Sequence, residues 1–169
     1  MSKIGLFWGS DTGNTEKVAR MIEDLLGNDN VDLHDIANSS TEDIEKYELL
    51  IFGASTWYDG DLQSDWDAFF DNLDAIDFNG KTVALFGLGD QYDYAEYFID
   101  GVGILYDKII ERGAKVIGEW STEGYEYDVS KAERDGVFVG LALDEDNQED
   151  LTEERVKQWI DQIKPQFGL

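Results

Sequence analysis

Three short segments carry residue types that could bind a ligand. Gly9-Ser10-Asp11-Thr12-Gly13-Asn14-Thr15 sets three hydroxyl side chains and two glycines at the start of a helix-period run. Such a turn offers backbone N–H groups, hydroxyls and the positive end of a helix dipole to a phosphate. It contains no Lys or Arg, lacks the Gly-Lys-Ser/Thr ending of a Walker loop, and is not a G-x-G-x-x-G fingerprint. The chemistry it suits is a single terminal phosphate held by neutral donors, or else an N-capped tight turn with no ligand. The second segment, Ser55-Thr56-Trp57-Tyr58-Asp59-Gly60-Asp61, places two adjacent aromatics beside glycine and acids. Stacking on a planar ligand would explain them, as would a hydrophobic plug over a helix. The third, Gly87-Leu88-Gly89-Asp90-Gln91-Tyr92-Asp93-Tyr94, combines glycines that allow close backbone approach with further aromatics among acids.

Composition removes several other chemistries. With no Cys and one His in 169 residues, thiolate nucleophiles, disulfides, Cys-ligated metals and multi-histidine sites are excluded. Thirteen Lys plus Arg against 38 Asp plus Glu leave a net charge of −25. That charge repels phosphate backbones and anionic lipid, so neither nucleic acid nor a membrane surface is an expected partner. No apolar run is long enough to span a bilayer, and Met1-Ser2-Lys3-Ile4 leads directly into a strand-like run without a signal-peptide core. A cytoplasmic location is expected.

The elements that must position the three segments follow from hydrophobic periodicity. Apolar strand-like runs over 3–8, 31–36, 49–54, 82–87 and 114–117 alternate with helix-period runs. The predicted helices cover 15–26, with Val18, Ile22 and Leu25 on one face, and 65–76, with Trp66, Phe69, Phe70 and Leu73. A third covers 94–112, with Phe98, Val102, Leu105 and Ile109, and ends before Gly113. The last covers 152–164, with Thr152 as N-cap and Trp159 facing inward. Repeated β-α units of this kind make a doubly wound parallel sheet with helices on both faces, three layers in one α/β domain over 1–169. A polar stretch at 118–136 interrupts the pattern before apolar character resumes at 137–143, which reads as a fifth strand split by a surface excursion. The three segments follow strands 1, 3 and 4, so they gather at the edge of the sheet where such folds bind ligands. His34 falls away from them and reads as a surface histidine paired with acids; Trp66 and Trp159 read as core.

The residues Ser10–Thr15, Ser55–Tyr58 and Gly87–Gln91 with Tyr94 resemble the three flavin-binding loops of flavodoxins. The split fifth strand and Gly140–Gln148 are similar to the long-chain bacterial subgroup, and the resemblance runs over essentially the whole chain. It implies a five-stranded sheet in the order 2-1-3-4-5 and one non-covalent FMN. By the same resemblance Ser10, Asp11, Thr12, Gly13, Asn14 and Thr15 hold the phosphate, while Trp57 and Tyr94 sandwich the ring. The backbone of Tyr58, Asp59 and Gly60, and that of Leu88, Gly89 and Asp90 after Gly87, line the ring edge. Thr56 and Asp146 face the ribityl chain, next to Ser55. Asn14, Tyr58 and Leu88 stand where some members carry Lys, Asn and Thr.

The implied function is a low-potential, one-electron carrier rather than an enzyme. It would act as a monomer between a flavodoxin/ferredoxin reductase and acceptors such as pyruvate:flavodoxin oxidoreductase, nitrogenase or radical enzymes. Acids near the ring loops, among them Asp59, Asp61, Asp90 and Asp93, would oppose added negative charge and steer basic partner faces. Two rivals share the sheet order. A flavodoxin-like NAD(P)H-quinone reductase would need basic residues near the loops for the nucleotide phosphate, and a phospho-accepting receiver would need acids after strands 1 and 3 and a Lys after strand 5. This sequence supplies neither set.

Overall fold

A computed structural model describes residues 3–169. In chain order the elements are β1 (Ile4–Trp8), α1 (Asn14–Leu26), β2 (Val31–Asp35), α2 (Thr41–Glu45), β3 (Leu49–Trp57), β4 (Asp61–Leu62), α3 (Ser64–Phe69) and β5 (Thr82–Leu88). There follow α4 (Asp100–Glu111), β6 (Lys115–Ile117), β7 (Trp120–Ser121), β8 (Glu133–Arg134), β9 (Val137–Phe138), β10 (Leu141–Leu143) and α5 (Glu149–Ile163). Among the described residues no helix is long and apolar enough to cross a membrane.

The apolar runs form one mainly parallel sheet. β1 lies between β2 and β3, with Ile4 opposite both Val31 and Leu49, and β3 pairs in turn with β5. β6 pairs with Thr82–Ala84 and β10 with Phe86–Leu88, so the two occupy successive lengths of the same outer edge of β5. This is the expected 2-1-3-4-5 order with its fifth strand split. Between the two halves, β7, β9 and β8 form a separate antiparallel sheet. Residues 137–143 are therefore not one strand. β9 pairs into the small sheet, and only β10 joins the main one. The junction requires Gly140, where a Cβ would lie 2.3 Å from the Leu85 carbonyl oxygen.

Each face of the sheet is covered because strands buried on both sides have no polar face to leave in water. Phe7, Phe52, Leu85 and Val102 pack with Trp66 and Phe98 on one side; Leu6, Val18, Ile22 and Phe86 pack with Trp159 on the other. Both tryptophans are fully buried as expected, and each indole N–H is satisfied, Trp66 by Gly53 O at 2.8 Å and Trp159 by Gly118 O at 2.9 Å. Burial of such side chains contributes about 1.5–3 kcal/mol apiece.

Four local expectations change. The helix expected from Tyr94 begins only at Asp100. The Ala95 carbonyl accepts from the amides of Asp128 and Val129 at 2.8 and 3.0 Å, the Phe98 carbonyl accepts from Ser130 Oγ, and Ile99 turns to φ 46°. Those carbonyls are thus committed to the 118–136 excursion instead of to the next helical turn. The helix expected over 65–76 is α-helical only to Phe69 and tightens to a 3₁₀ turn over Phe70–Ala75. α5 starts at Glu149, so Thr152 is not its N-cap; its hydroxyl donates to Glu145 at 2.7 Å. His34 is half-buried, stacked on Phe7 with ring centroids 4.5 Å apart, and its direct polar partner is the Tyr47 hydroxyl at 2.8 Å. Tyr47 in turn donates to Asp32 at 2.9 Å, which leaves the His34 Nε2–H to donate to the phenolic oxygen.

Burial, aided by Lys46, holds the His34 pKa below its ordinary 6.5 against the pull of Asp43 and Asp32. The unfolded chain therefore binds the extra proton first. The stabilisation from keeping this ring neutral is complete above about pH 6.5 and is lost as pH falls toward the lower native value. Urea unfolding of the wild type and of His34→Gln should diverge least near pH about 5 and most near pH about 8. A wild-type advantage that grows on acidification would contradict this account.

Candidate functional site

The site is built where β1, β3, β5 and β10 end. After β1 the chain turns through Gly13, which adopts φ 90°, and enters α1 without any side-chain cap. The helix N-terminus thus keeps its unpaired amides and its positive dipole end. Ser10 Oγ accepts from the Gly13 amide at 2.9 Å and holds the turn closed. Asp11 points out of the turn and accepts from Gln63 Nε2 at 3.0 Å and Ser64 Oγ at 3.1 Å, anchoring it to the start of α3. Thr15 lies one residue into α1. Its Oγ1 is the one buried side-chain polar atom with no hydrogen-bond partner among the described residues. An orphaned buried hydroxyl beside an uncapped helix N-terminus is a donor set that lacks its acceptor.

Thr12, Asn14 and Thr15 share one crevice with Ser55, Thr56 and Trp57, with Leu88, Gly89, Asp90 and Tyr94, and with Glu145 and Asp146. The tertiary structure thus brings together eleven of the residues expected from sequence. Trp57 is held by its indole N–H, which donates to Ser55 Oγ at 3.0 Å. Thr56 Oγ1 accepts from the Gly101 amide at 2.8 Å, so its own proton stays free to donate. Tyr94 remains 43% exposed.

The other expected residues lie off the crevice wall. Ser10, Asp11 and Gly13 shape the first turn from behind. Tyr58, Asp59 and Gly60 form the tip of the β3–β4 hairpin. Tyr58 sits there at φ 48° and is 69% exposed, while Gly60 at φ 89° is buried, its hydrogen-only side facing Asp100. A non-glycine residue at positive φ is strained, and this one borders the crevice. Gly87 lies within β5 against Val102, where a Cβ would come within 2.2 Å of a methyl group. Glu145 was not singled out by sequence, although it adjoins Asp146 in the acidic run after β10. It pairs with Lys17 and accepts from Thr152, which ties α1 to α5.

Electrostatics divide the acidic rim. Burial would raise the Asp90 pKa, but hydrogen bonds from the Asp93 and Tyr92 amides and from the Asn147 side chain outweigh it and hold the carboxyl below its usual range. Asp146 is shifted the other way, by burial and then by the charges of Asp90, Asp144, Asp93 and Glu145. The crevice therefore combines neutral donors at one end, two aromatic side chains and flat glycine backbone at the other, and hydroxyl and carboxyl groups between. An elongated ligand with a phosphate, a polyol and a planar ring would find each part matched.

The Flavodoxin family model matches residues 6–159. A flavodoxin of Nostoc sp. (strain PCC 7120) is 56% identical over 99% of this chain and 98% of its own. Flavodoxin 1 of Escherichia coli K12 is 55% identical over 100% and 97%. Among solved structures, that of Fusobacterium nucleatum flavodoxin bound to flavin mononucleotide superposes with a TM-score of 0.94 at 38% identity, covering 98% of this chain and 99% of that one.

Because Thr15 Oγ1 has no partner, removing it without changing the shape should not weaken the ligand-free protein. Thr15→Val is expected to leave the urea midpoint unchanged or raise stability by up to about 1 kcal/mol. A loss of more than about 1 kcal/mol would reveal a partner for the hydroxyl and remove the argument drawn from it.

Proposed function

This chain belongs to the flavodoxin family of FMN-based electron carriers, and we propose that its crevice holds the FMN, with each part of the ligand assigned to the residues gathered there. The observation that carries the assignment is the unpartnered Thr15 hydroxyl at the uncapped N-terminus of α1. Thr12, Asn14 and Thr15 donate to the phosphate, and Ser10, Asp11 and Gly13 keep their turn in shape. Trp57 covers the inner face of the ring and Tyr94 the outer. Main chain at Tyr58, Asp59 and Gly60 and at Leu88, Gly89 and Asp90 follows the ring edge, with Gly87 keeping the third loop close to the sheet. Thr56 and Asp146 face the ribityl chain, and Ser55 orients Trp57.

When bound, FMN supplies the redox chemistry, one electron at a time. This chain's residues bind it, orient it, keep water from its faces and set the local charge. Trp57 and Tyr94 do the first three by stacking. Asp90, kept ionised by its amide donors, and the acids of the β3–β4 hairpin disfavour added negative charge nearby, which lowers the potential. Among the described residues no Lys or Arg lines the crevice, so a nicotinamide nucleotide phosphate has no counter-charge there, and a quinone reductase role is not supported. The net charge of −25 favours partners with basic docking faces. Suitable candidates are a flavodoxin/ferredoxin reductase, pyruvate:flavodoxin oxidoreductase, nitrogenase and radical enzymes, met by this chain as a cytoplasmic monomer.

Titration of the apoprotein with FMN should give one site, with flavin fluorescence quenched. Tyr94→Ala and Thr15→Val should each weaken binding roughly tenfold while Thr15→Val leaves apoprotein stability intact. An apoprotein that cannot be loaded with FMN would defeat the assignment. In stopped-flow electron exchange with a basic reductase, the rate should fall as salt shortens the Debye length below about 10 Å. A rate independent of salt would rule out charge steering.

A further inference from the structure

Gln91 stands in the third loop, between Asp90 and Tyr94, and is wholly buried. Its side-chain amide is fully used. Nε2 donates to Asp144 at 2.7 Å and to Gln148 at 2.8 Å, and Oε1 accepts from the Glu126 amide at 2.5 Å. Its backbone N–H also reaches Asp144. Asp144, equally buried, accepts from the Asn147 side chain at 2.9 Å, and the same Asn147 amide reaches Asp90 at 2.8 Å. One side chain therefore connects the third loop, the end of β10, the start of α5 and the excursion that splits the fifth strand.

That contact is the first of a series. Gln148 Nε2 donates to the Gly124 carbonyl at 3.0 Å, and the Arg155 guanidinium lies 4.2 Å over the Tyr125 ring. Beyond Glu126, the Asp128 and Val129 amides reach Ala95, Ser130 reaches Phe98, and the Lys131 amide donates to Asp100 at 2.8 Å. Residues 124–131 thus run beside 91–100 and give the Ala95 and Phe98 carbonyls hydrogen bonds that a helix would otherwise have given them. Tyr94 lies inside the strapped segment and is itself still partly exposed.

We propose that Gln91 is a positioning residue through which the 118–136 excursion sets the third loop, and Tyr94 with it, in the geometry that receives the flavin ring. The proposal rests on the FMN assignment above. A loop without regular secondary structure must lose conformational freedom on binding unless other contacts have already fixed it, and a fixed loop binds more tightly. The excursion provides that fixing here. It therefore acts on the ring site from behind and is neither a passive decoration nor a part reserved for docking.

Gln91→Met keeps the volume and removes the amide. Asp128→Pro removes one N–H to Ala95 at a position away from the crevice. Both variants should bind FMN about tenfold more weakly than wild type and shift the potential of the first one-electron reduction, with faster hydrogen exchange over residues 92–99. If Gln91→Met does not fold, Asp128→Pro decides the question by the same readouts. Variants that lower only the apoprotein unfolding midpoint, with wild-type FMN affinity and potential, would overturn the proposal in favour of a structural role. So would variants that keep affinity and potential but slow electron exchange with a reductase, which would mark a docking surface. Wild-type protein that takes up no FMN would instead strike the underlying assignment.

Discussion

The pairing of β3 with β1 on one side and β5 on the other governs everything at the site. Leu49 lies opposite Ile4 and Thr82, and Ser55 lies opposite Leu88, so the three strands run in step to the same edge. Parallel strands in register release their following loops side by side. Trp57 and Tyr94, 37 positions apart in sequence, can line one crevice only because of that register. A slip of one residue in β3 would turn Leu50 and Phe52 toward the opposite helices and carry Trp57 away with them.

A second constraint concerns polar groups that the fold takes out of water. Asp144, Gln91, Gln63 and Asp100 are buried, and each has protein hydrogen-bond partners. Against that pattern Thr15 is an exception, and it occurs where an uncapped helix start adds unpaired amides of its own. Buried polar groups that satisfy one another make rigid structure; those left over mark where something else binds. Burial also separates the acids by role, since Asp90 is surrounded by donors and Asp146 by other carboxylates. The charge of −25 is in this sense not uniform. Part of it is built into the crevice rim, and the rest lies on solvated surface.

Much of the site was legible because its parts are local. The Ser/Thr-rich turn, the Trp57-Tyr58 pair and the Gly/Tyr loop carry their chemistry within eight residues each, and five apolar runs suffice to place them on one edge. The misreadings have a common origin. The Asp11 carboxylate is acidic enough in type to seek a nearby cation, but its partners are Gln63, 52 residues on, and Ser64. The segment 94–99 has helical periodicity, but amides from 128 and 129 claim its carbonyl at Ala95. Thr152 has the residue type of an N-cap, but Glu145 takes its hydroxyl and the helix starts earlier. Glu145 itself gave no signal beyond a place in an acidic run.

Hydrophobic alternation and residue chemistry alone determined the layered α/β architecture, the split fifth strand, the two core tryptophans and the three loops that meet at one sheet edge, because each depends on side chains within one or two turns of chain. Tertiary structure alone decided which of the loop residues face the crevice and which brace it, how the excursion grips the third loop through Gln91, and that Thr15 is left without a partner. Those outcomes depend on hydrogen-bond competitors that lie tens of residues away in sequence, 53 in the case of Gln91 and Asp144. No local pattern records such a competitor, since it exists only once the sheet has brought the two segments together.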